Sequence, residues 1–89
     1  MFAIMTVTGA DHTGIIAAVT SELAAQEVNI LDVSQTIMDK YFTMILRVEF
    51  DENHTDIATI DRQMEAVGQA QGLVIRIQAE ALFTAVNEI

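Results

Sequence analysis

Apolar and polar residues alternate along four segments of the chain, which is the pattern of half-buried β-strands. The predicted strands are Phe2–Thr8, Ile30–Met38, Tyr41–Phe50 and Leu73–Ala79. The third segment alternates most cleanly of the four. Its apolar face consists of Phe42, Met44, Leu46, Val48 and Phe50. The dipeptide Asp39-Lys40 fits a tight hairpin turn, so we expect the second and third strands to be antiparallel neighbours.

The first helix is predicted to start at Ile15, where the spacing of apolar residues changes from every second residue to every third or fourth. Its apolar stripe consists of Ile15, Ile16, Val19 and Leu23. Thr13 has the side chain of a helix N-cap, and Glu27 is expected to close the segment. The stretch Gly9–Gly14 that precedes the helix is rich in turn residues and predicts a break after the first strand.

A second helix is predicted after the acidic stretch 51–56, with either Asp56 or Thr55 as its N-cap. Its apolar stripe consists of Ile57, Ile60, Met64 and Val67, and Gly72 supplies a C-terminal stop. Helical spacing returns once more after the fourth strand. A short terminal helix is therefore predicted over Glu80–Asn87.

The element order β-α-β-β-α-β, followed by a helical tail, predicts an α+β protein with a ferredoxin-like fold. In this fold a four-stranded antiparallel sheet carries both main helices on one face. The first and third strands lie at the centre, and the second and fourth form the edges. We expect one domain over residues 1–89, in which residues 80–89 form a C-terminal helical extension.

The second strand is expected to be an unprotected edge. Between Ile30 and Met38 it has no proline or lysine and only one charged residue, although edge strands usually carry such features to prevent pairing with other chains. Hydrophobic residues make up 52% of the chain and charged residues 19%, which is more apolar surface than one small core needs. Both observations predict association with another copy or with a partner, and we expect a homodimer formed through the second strand.

Composition excludes several classes of protein. The net charge is −9, with 13 acidic and 4 basic residues, whereas proteins that bind nucleic acids or anionic membranes need clustered cations. No apolar run approaches the length of a membrane-spanning helix, and the first residues have the pattern of a strand rather than a signal peptide. The chain has no cysteine, which agrees with an expected location in the cytoplasm.

The segment Gly9-Ala10-Asp11-His12-Thr13-Gly14-Ile15 is the first candidate for chemistry. A ligand can approach a glycine backbone closely, and the free N–H groups at the start of a helix can hold a carboxylate. Asp11 could then receive an ammonium group. No Lys or Arg lies near in sequence, so the backbone alone would bind the anion and a zwitterionic ligand is favoured. The structural alternative is that Gly9 turns the chain and Thr13 caps the helix.

The second candidate is Asn29-Ile30-Leu31-Asp32, at the start of the second strand. Asn29 offers a hydrogen-bond donor and an acceptor, and Asp32 is a charge in an apolar strand. Alternatively, Asn29 makes a turn and Asp32 protects the edge strand. The topology places Asn29 and Gly14 at opposite ends of one subunit. An antiparallel pair of second strands would bring Asn29 of a second copy toward the Gly14 loop, so the site would be complete only in the dimer.

Catalysis, cofactors and metal ions find no support in the residue patterns. His12 and His54 lack the spacing of metal ligands, and the serines have no visible base partner. The two glycines around the first turn match neither a dinucleotide-binding nor a P-loop pattern. We therefore predict that the protein is not an enzyme, has no cofactor and has no metal site.

The sequence resembles the ACT domain superfamily, and in particular its small single-domain bacterial proteins of the UPF0237 type. The resemblance covers essentially the whole chain. The stretches that carry it are Thr6–Ile16, Asn29–Thr36 and Tyr41-Phe42-Thr43-Met44. The combination of D-x-x-G-I after the first strand with N-I-x-D at the second is fairly specific, whereas either motif alone is weak.

The resemblance implies a regulatory domain that binds an amino-acid effector, often at a dimer interface. The residues implicated are Asp11, His12, Thr13, Gly14 and Ile15 of one copy, with Asn29, Ile30 and Asp32 of the other. Most ACT domains are fused to the enzyme that they regulate, and this chain has no such enzyme. The second hypothesis is therefore an interaction module, which docks on a metabolic enzyme or regulator without a small ligand. An edge strand or the helix containing Leu82, Phe83 and Val86 would form its contact surface.

Overall fold

The computed structural model describes the backbone of residues 1–87 and the side chains of residues 1–83. The described elements are β1 (Phe2–Ala10), α1 (Ile15–Ala25), β2 (Asn29–Met38), β3 (Tyr41–Glu49), α2 (Ile57–Gln71), β4 (Leu73–Ala79) and α3 (Glu80–Asn87). This order confirms the predicted βαββαβ unit with a short terminal helix. Of the extension predicted over residues 80–89, Glu88 and Ile89 lie outside the described residues.

The four strands form one antiparallel sheet in the order β2-β3-β1-β4. The central position of β1 and β3 confirms the prediction and follows from their burial. In the register, Val7 of β1 lies between Met44 of β3 and Ile75 of β4, and all three side chains are buried. β2 and β4 each pair with one strand only, so their outer backbone edges are free of sheet partners within the described chain.

The core lies between one face of the sheet and the two main helices, as the alternation predicted. Helix α1 contributes the buried stripe Ile15, Val19 and Leu23, which recurs every fourth residue. Helix α2 contributes Ile60 and Met64 in the same way. The opposite face of the sheet, here called the open face, carries Arg47. Glu80 of α3 is hydrogen-bonded to this arginine, so α3 begins beside the open face.

The connection between β1 and α1 differs from the prediction. β1 continues through Gly9 to Ala10 instead of ending at Thr8. Gly9 makes no turn, because it is paired within the sheet, and a Cβ there would lie 2.9 Å from the carbonyl oxygen of Gly72. Thr13 is not the N-cap of α1. Gly14 takes that position with φ 93°, and no side chain caps the helix.

The start of α2 and the ends of both main helices can also be compared with the predictions. Asp56, rather than Thr55, caps α2, because its Oδ1 accepts a hydrogen bond from the Thr59 N–H at 2.8 Å. This bond also lowers the pKa of the Asp56 carboxyl. Gly72 ends α2 with φ 70°, as predicted. α1 stops at Ala25, earlier than its predicted end at Glu27.

The end of the third strand was also predicted one position too late. β3 stops at Glu49, and Phe50 follows it outside the strand. Phe50 is nevertheless buried, so its place on the apolar face was predicted correctly. Its N–H donates to the carbonyl oxygen of Met1 at 3.0 Å instead of continuing the regular strand. The chain therefore leaves the sheet while this aromatic side chain remains in the core.

Candidate functional site

Residues Asp11–Gly14, here called the binding loop, connect β1 to α1. The N–H of Asp11 donates to the carbonyl oxygen of Lys40 at 2.8 Å, which attaches the loop to the β2–β3 hairpin. The first helical hydrogen bond runs from Ala18 N–H to Gly14 O at 3.0 Å. Within the described residues, the N–H groups of Gly14, Ile15 and Ile16 have no hydrogen-bond partner. They form the positive end of α1 and can bind an anion by donating hydrogen bonds to it.

His12 attaches the binding loop to a second element. Its Nδ1 lies 3.0 Å from the carbonyl oxygen of Thr13, and its Nε2 lies 2.8 Å from the carbonyl oxygen of Gln71, the last residue of α2. The hydrogen bond to Thr13 is the largest cause that raises the pKa of His12, and the bond to Gln71 and the charge of Asp11 act in the same direction. The ring therefore bridges residues that are far apart in sequence.

The fold brings the cationic residue Lys40 to this end of the molecule. That the backbone alone would bind an anion stays a prediction. Lys40 is remote from the loop in sequence, but its carbonyl group contacts Asp11. Its ammonium nitrogen lies 5.7 Å from the centroid of the Tyr41 ring, within the range of a cation–π contact. Lys40 was missed because only neighbours in sequence were considered. The hairpin prediction could have found it, since β1 ends where β3 begins.

A groove of about 280 Å³ lies between the first turn of α1 and the last residues of β2. It is here called the α1–β2 groove. Its lining residues are Asp11, His12, Gly14, Ile15, Ile16, Ala17, Gln35, Ile37 and Phe42. Five of these nine residues are Ile, Ala or Phe, and the polar ones lie mostly on the binding loop. Such a groove has a polar end for charged groups and an apolar wall for a side chain. Periodicity marked Ile37 and Phe42 as strand residues but gave no sign that they face this loop.

β2 is exposed along most of its length. Every residue from Leu31 to Met38 is exposed, including Val33 at 44% and Ile37 at 55%. Val33 and Ile37 lie opposite buried residues of β3 and therefore point to the side of the sheet that carries the helices. Neither helix covers them. These observations support the predicted unprotected edge, with apolar side chains beside an unpaired strand backbone.

Asn29 and Ile30 lie at the far end of β2 from the binding loop. Asn29 is paired with Glu49, in the same row of the sheet as Phe2 at the start of β1, whereas Met38 is paired with Tyr41 in the row of Ala10. A ten-residue strand is about 30 Å long. Asn29 and Ile30 therefore lie far from the binding loop within one copy. This agrees with the prediction that Asn29 and Gly14 lie at opposite ends of a subunit.

A shallow cavity surrounds Asn29 at this far end. Its other lining residues are Glu27, Glu49, Phe50 and Asp51. Ile30 is half-buried and packs against the core. Three of the residues around Asn29 are acidic, so this cavity would repel a carboxylate, unlike the end of the sheet where Lys40 and His12 lie.

Asp32 has contacts within its own sheet. Its Oδ1 accepts a hydrogen bond from the N–H of Val33 at 2.9 Å, next to a bulge at which Leu31 is the extra residue of β2. The register pairs Asp32 with Arg47 on the open face, and Arg47 donates to Glu80 from Nε at 2.5 Å and from Nη2 at 3.3 Å. The open face is opposite to the α1–β2 groove. A role of Asp32 in ligand binding therefore stays a prediction that this placement does not favour.

The described part of the chain contains no group of three His, Cys, Asp or Glu side chains placed to hold a metal ion. His54, the second histidine, forms a pair with Glu27, with Nε2 and Oε2 3.2 Å apart. No described helix is long and apolar enough to cross a membrane.

The terminal helix is the other surface that the sequence singled out for docking. Leu82 is exposed at 55%, and Phe83 is half-buried. The side chain of Val86 lies outside the described residues.

Comparisons with known proteins agree with the fold. The sequence model of the ACT domain family matches residues 1–78. A UPF0237 protein of Corynebacterium glutamicum is 70% identical over 89 residues, which is 100% of both chains. An ACT domain protein from Streptococcus pneumoniae has a TM-score of 0.83 and 43% identity, with 93% of each chain covered. A formyltetrahydrofolate deformylase from Pseudomonas putida has a TM-score of 0.79 at 16% identity. That match covers 89% of this chain but only 29% of the deformylase, and it shows a shared fold.

Proposed function

The chain belongs to the ACT domain family, among its UPF0237 members, and on this premise we propose that it is a non-enzymatic, cytoplasmic regulatory module that binds a free amino acid. The bound state is a homodimer formed through β2, with a ligand site at each binding loop. The observation that carries the proposal is the α1–β2 groove, which has free backbone donors at one end and an apolar wall along its side.

Each part of an amino acid has a counterpart in this groove. The carboxylate suits the free N–H groups of Gly14, Ile15 and Ile16, where the α1 dipole favours negative charge. Asp11, which also lines the groove, suits the ammonium group. The side chain would lie along the apolar wall. The groove volume of about 280 Å³ is close to the lower end of the range for ligand sites, about 300 Å³, so it suits a small ligand.

A second copy would close the site. If the β2 strands of two copies pair antiparallel, the start of one strand lies beside the end of the other. Asn29 and Ile30 of one copy then approach the groove of the other, close to Gln35 and Ile37. The same pairing would bury the exposed side chains of Val33 and Ile37 and satisfy the free backbone groups of the edge.

A thermal-shift screen against the twenty amino acids tests the proposal. A ligand at about 100 times its Kd stabilises the folded state by about 2.7 kcal/mol, which for a domain of this size raises Tm by about 10 °C or more. We expect this response from a small set of amino acids. If no amino acid at millimolar concentration changes Tm, the proposed function is wrong.

Two matched variants locate the site. Ala17→Phe fills the groove from an exposed position in the first turn of α1 and should abolish the shift. Ala24→Phe is the control, because Ala24 is also exposed and lies two turns farther along the same face of α1. Equal shifts in both variants would place the ligand elsewhere.

The second candidate function is an interaction module without a small ligand. The exposure of β2 over Leu31–Met38 favours it, because such an edge can accept a strand of another protein. In the deformylase named above, the similar fold accounts for only 29% of a longer chain. This candidate predicts that one defined partner is captured in the absence of amino acids and that Ala17→Phe does not affect the capture. Loss of capture with Ala17→Phe would favour the groove instead.

A further inference from the structure

His12 has an arrangement that a neutral imidazole cannot satisfy. Both ring nitrogens lie within hydrogen-bond distance of a backbone carbonyl oxygen, Nδ1 at 3.0 Å from Thr13 and Nε2 at 2.8 Å from Gln71. A carbonyl oxygen only accepts, and a neutral imidazole carries one N–H, so it can satisfy one of the two contacts. Its second nitrogen would place a lone pair against the other carbonyl. Only the protonated ring donates to both.

The surroundings of the ring also favour the protonated form. From the binding loop itself, the Asp11 carboxylate acts on the ring and raises the pKa of His12. From α2, the ring meets the last carbonyl groups, which form the negative end of the helix dipole, and residues 69–71 there carry no charge. The β2–β3 hairpin contributes Asp39 and Lys40 at this end of the sheet, and the Lys40 ammonium lies over the Tyr41 ring.

We propose that His12 is a proton-controlled positioning residue, which binds the carbonyl groups of both Thr13 and Gln71 when it is protonated and loses one of these two hydrogen bonds when it is neutral. The bridge itself does not depend on the proposed function. Only its effect on ligand binding rests on the proposed function. The carbonyl group that Nδ1 holds belongs to the peptide between Thr13 and Gly14. Because a peptide is planar, its N–H points opposite to its C=O. His12 therefore fixes the direction of the Gly14 N–H, the first free donor of the groove.

The sign of the pH dependence follows from the raised pKa. The ordinary value for His12 is 6.5, and the folded state raises it. The stabilisation by the protonated ring is then fully present below the ordinary value and is lost as the pH rises through the folded-state pKa. Carboxylate binding at the loop is expected to weaken over the same interval. The binding loop would thus respond to pH in the physiological range.

A titration without ligand tests the bridge. In a His54→Gln background the remaining imidazole signals in NMR belong to His12, and their midpoint is expected above 6.5. Wild type and His12→Gln are also compared by thermal unfolding from about pH 5.5 to about pH 8. We expect the variant to be less stable, with a difference in Tm that decreases as the pH rises. A midpoint at or below 6.5, or a difference in Tm that is independent of pH, would overturn the proposal.

A second measurement tests the link to the ligand. For an amino acid that shifts Tm, the affinity of wild type should fall several-fold from about pH 5.5 to about pH 8. The affinity of His12→Gln should change little over this pH range. The variant is also the control for titration of the ligand, which would affect both proteins equally. Equal pH dependence in both proteins would mean that His12 does not control the site. If no amino acid binds at all, both the proposed function and the control of ligand binding by His12 are wrong. The titration without ligand still tests whether protonated His12 links the binding loop to α2.

Discussion

Gly68 shows that a contact outside its own helix can determine which residue a position tolerates. It is buried in α2, and a Cβ built on it would lie 2.6 Å from the carbonyl oxygen of Leu73. That oxygen belongs to the backbone of β4 and cannot move aside as a flexible side chain could. The glycine therefore allows α2 to lie close to the edge of the sheet.

Gly68→Ala is expected to destabilise the protein. In an exposed helix the same change would stabilise by about 1 kcal/mol, because alanine has the higher helix propensity. Here the clash with the Leu73 carbonyl should exceed this gain, with a net loss of about 1–3 kcal/mol in the free energy of unfolding. Urea denaturation measures the change. Gln69→Ala, at the exposed neighbouring position, serves as the control and should be nearly neutral.

Residues of the binding loop show where local rules and the fold differ. Thr13 followed by a helix is a normal capping pattern, yet the helix starts from Gly14 in a left-handed conformation, and the Thr13 side chain accepts no capping hydrogen bond. The Thr13 carbonyl group instead accepts from His12. His12 itself could not be interpreted from sequence, since its second partner, Gln71, is 59 residues away.

At the scale of elements, the two edge strands differ in what they expose. β2 has apolar side chains exposed on both of its faces, among them Val33 and Met38. β4 buries Leu73, Ile75 and Ile77 and exposes little apolar area apart from Val74 at 54%. We therefore expect association through β2 and not through β4.

Val33→Lys is expected to convert the proposed dimer to a monomer. The change places a charge in the centre of the exposed edge, as many natural edge strands do. Because Val33 is already exposed at 44%, the fold should tolerate it. Sedimentation measures the mass, which should fall from about twice the 9.8 kDa of the chain to that of one copy.

Val74→Lys is the matched control for that experiment. It places the same residue at an exposed valine of the other edge strand. The control should remain dimeric. Dissociation by Val74→Lys alone would move the interface to β4, and a wild-type monomer at micromolar concentration would end the model of a shared site.

At the scale of the whole molecule, charge opposes the proposed association. Each copy carries a net charge of −9, so two copies repel each other at low ionic strength. Screening shortens the range of this repulsion from about 30 Å at 0.01 M salt to about 8 Å at 0.15 M. The apolar contact through β2 does not depend on charge in this way.

Dimer affinity is therefore expected to increase with salt over this range. Sedimentation at several protein concentrations gives the dissociation constant at each ionic strength. The same series on Val74→Lys, which reduces the net negative charge without touching β2, should show a weaker salt dependence. A dissociation constant that rises with salt would mean that ion pairs, rather than apolar contacts, hold the interface.

The sequence by itself determined the elements and their arrangement in this protein. Strands and helices differ in the period of their apolar residues, and this period is a local property that a single chain displays. The predicted strand Leu73–Ala79 and terminal helix Glu80–Asn87 have the observed bounds. The order of the elements then leaves few topologies, because connections are short and antiparallel strands pair through hairpins. The central β1 and β3 follow from this.

Only the tertiary structure decided how the candidate site is built. The contact of Lys40 with Asp11, the bridge from His12 to Gln71 and the groove between α1 and β2 all join residues that no local pattern links. Such contacts depend on ångström-scale placement of packed elements, and a single extra residue, such as Leu31 in the bulge, changes which side chains share a face. Periodicity indicates which face of an element is buried. It does not indicate which atoms meet there.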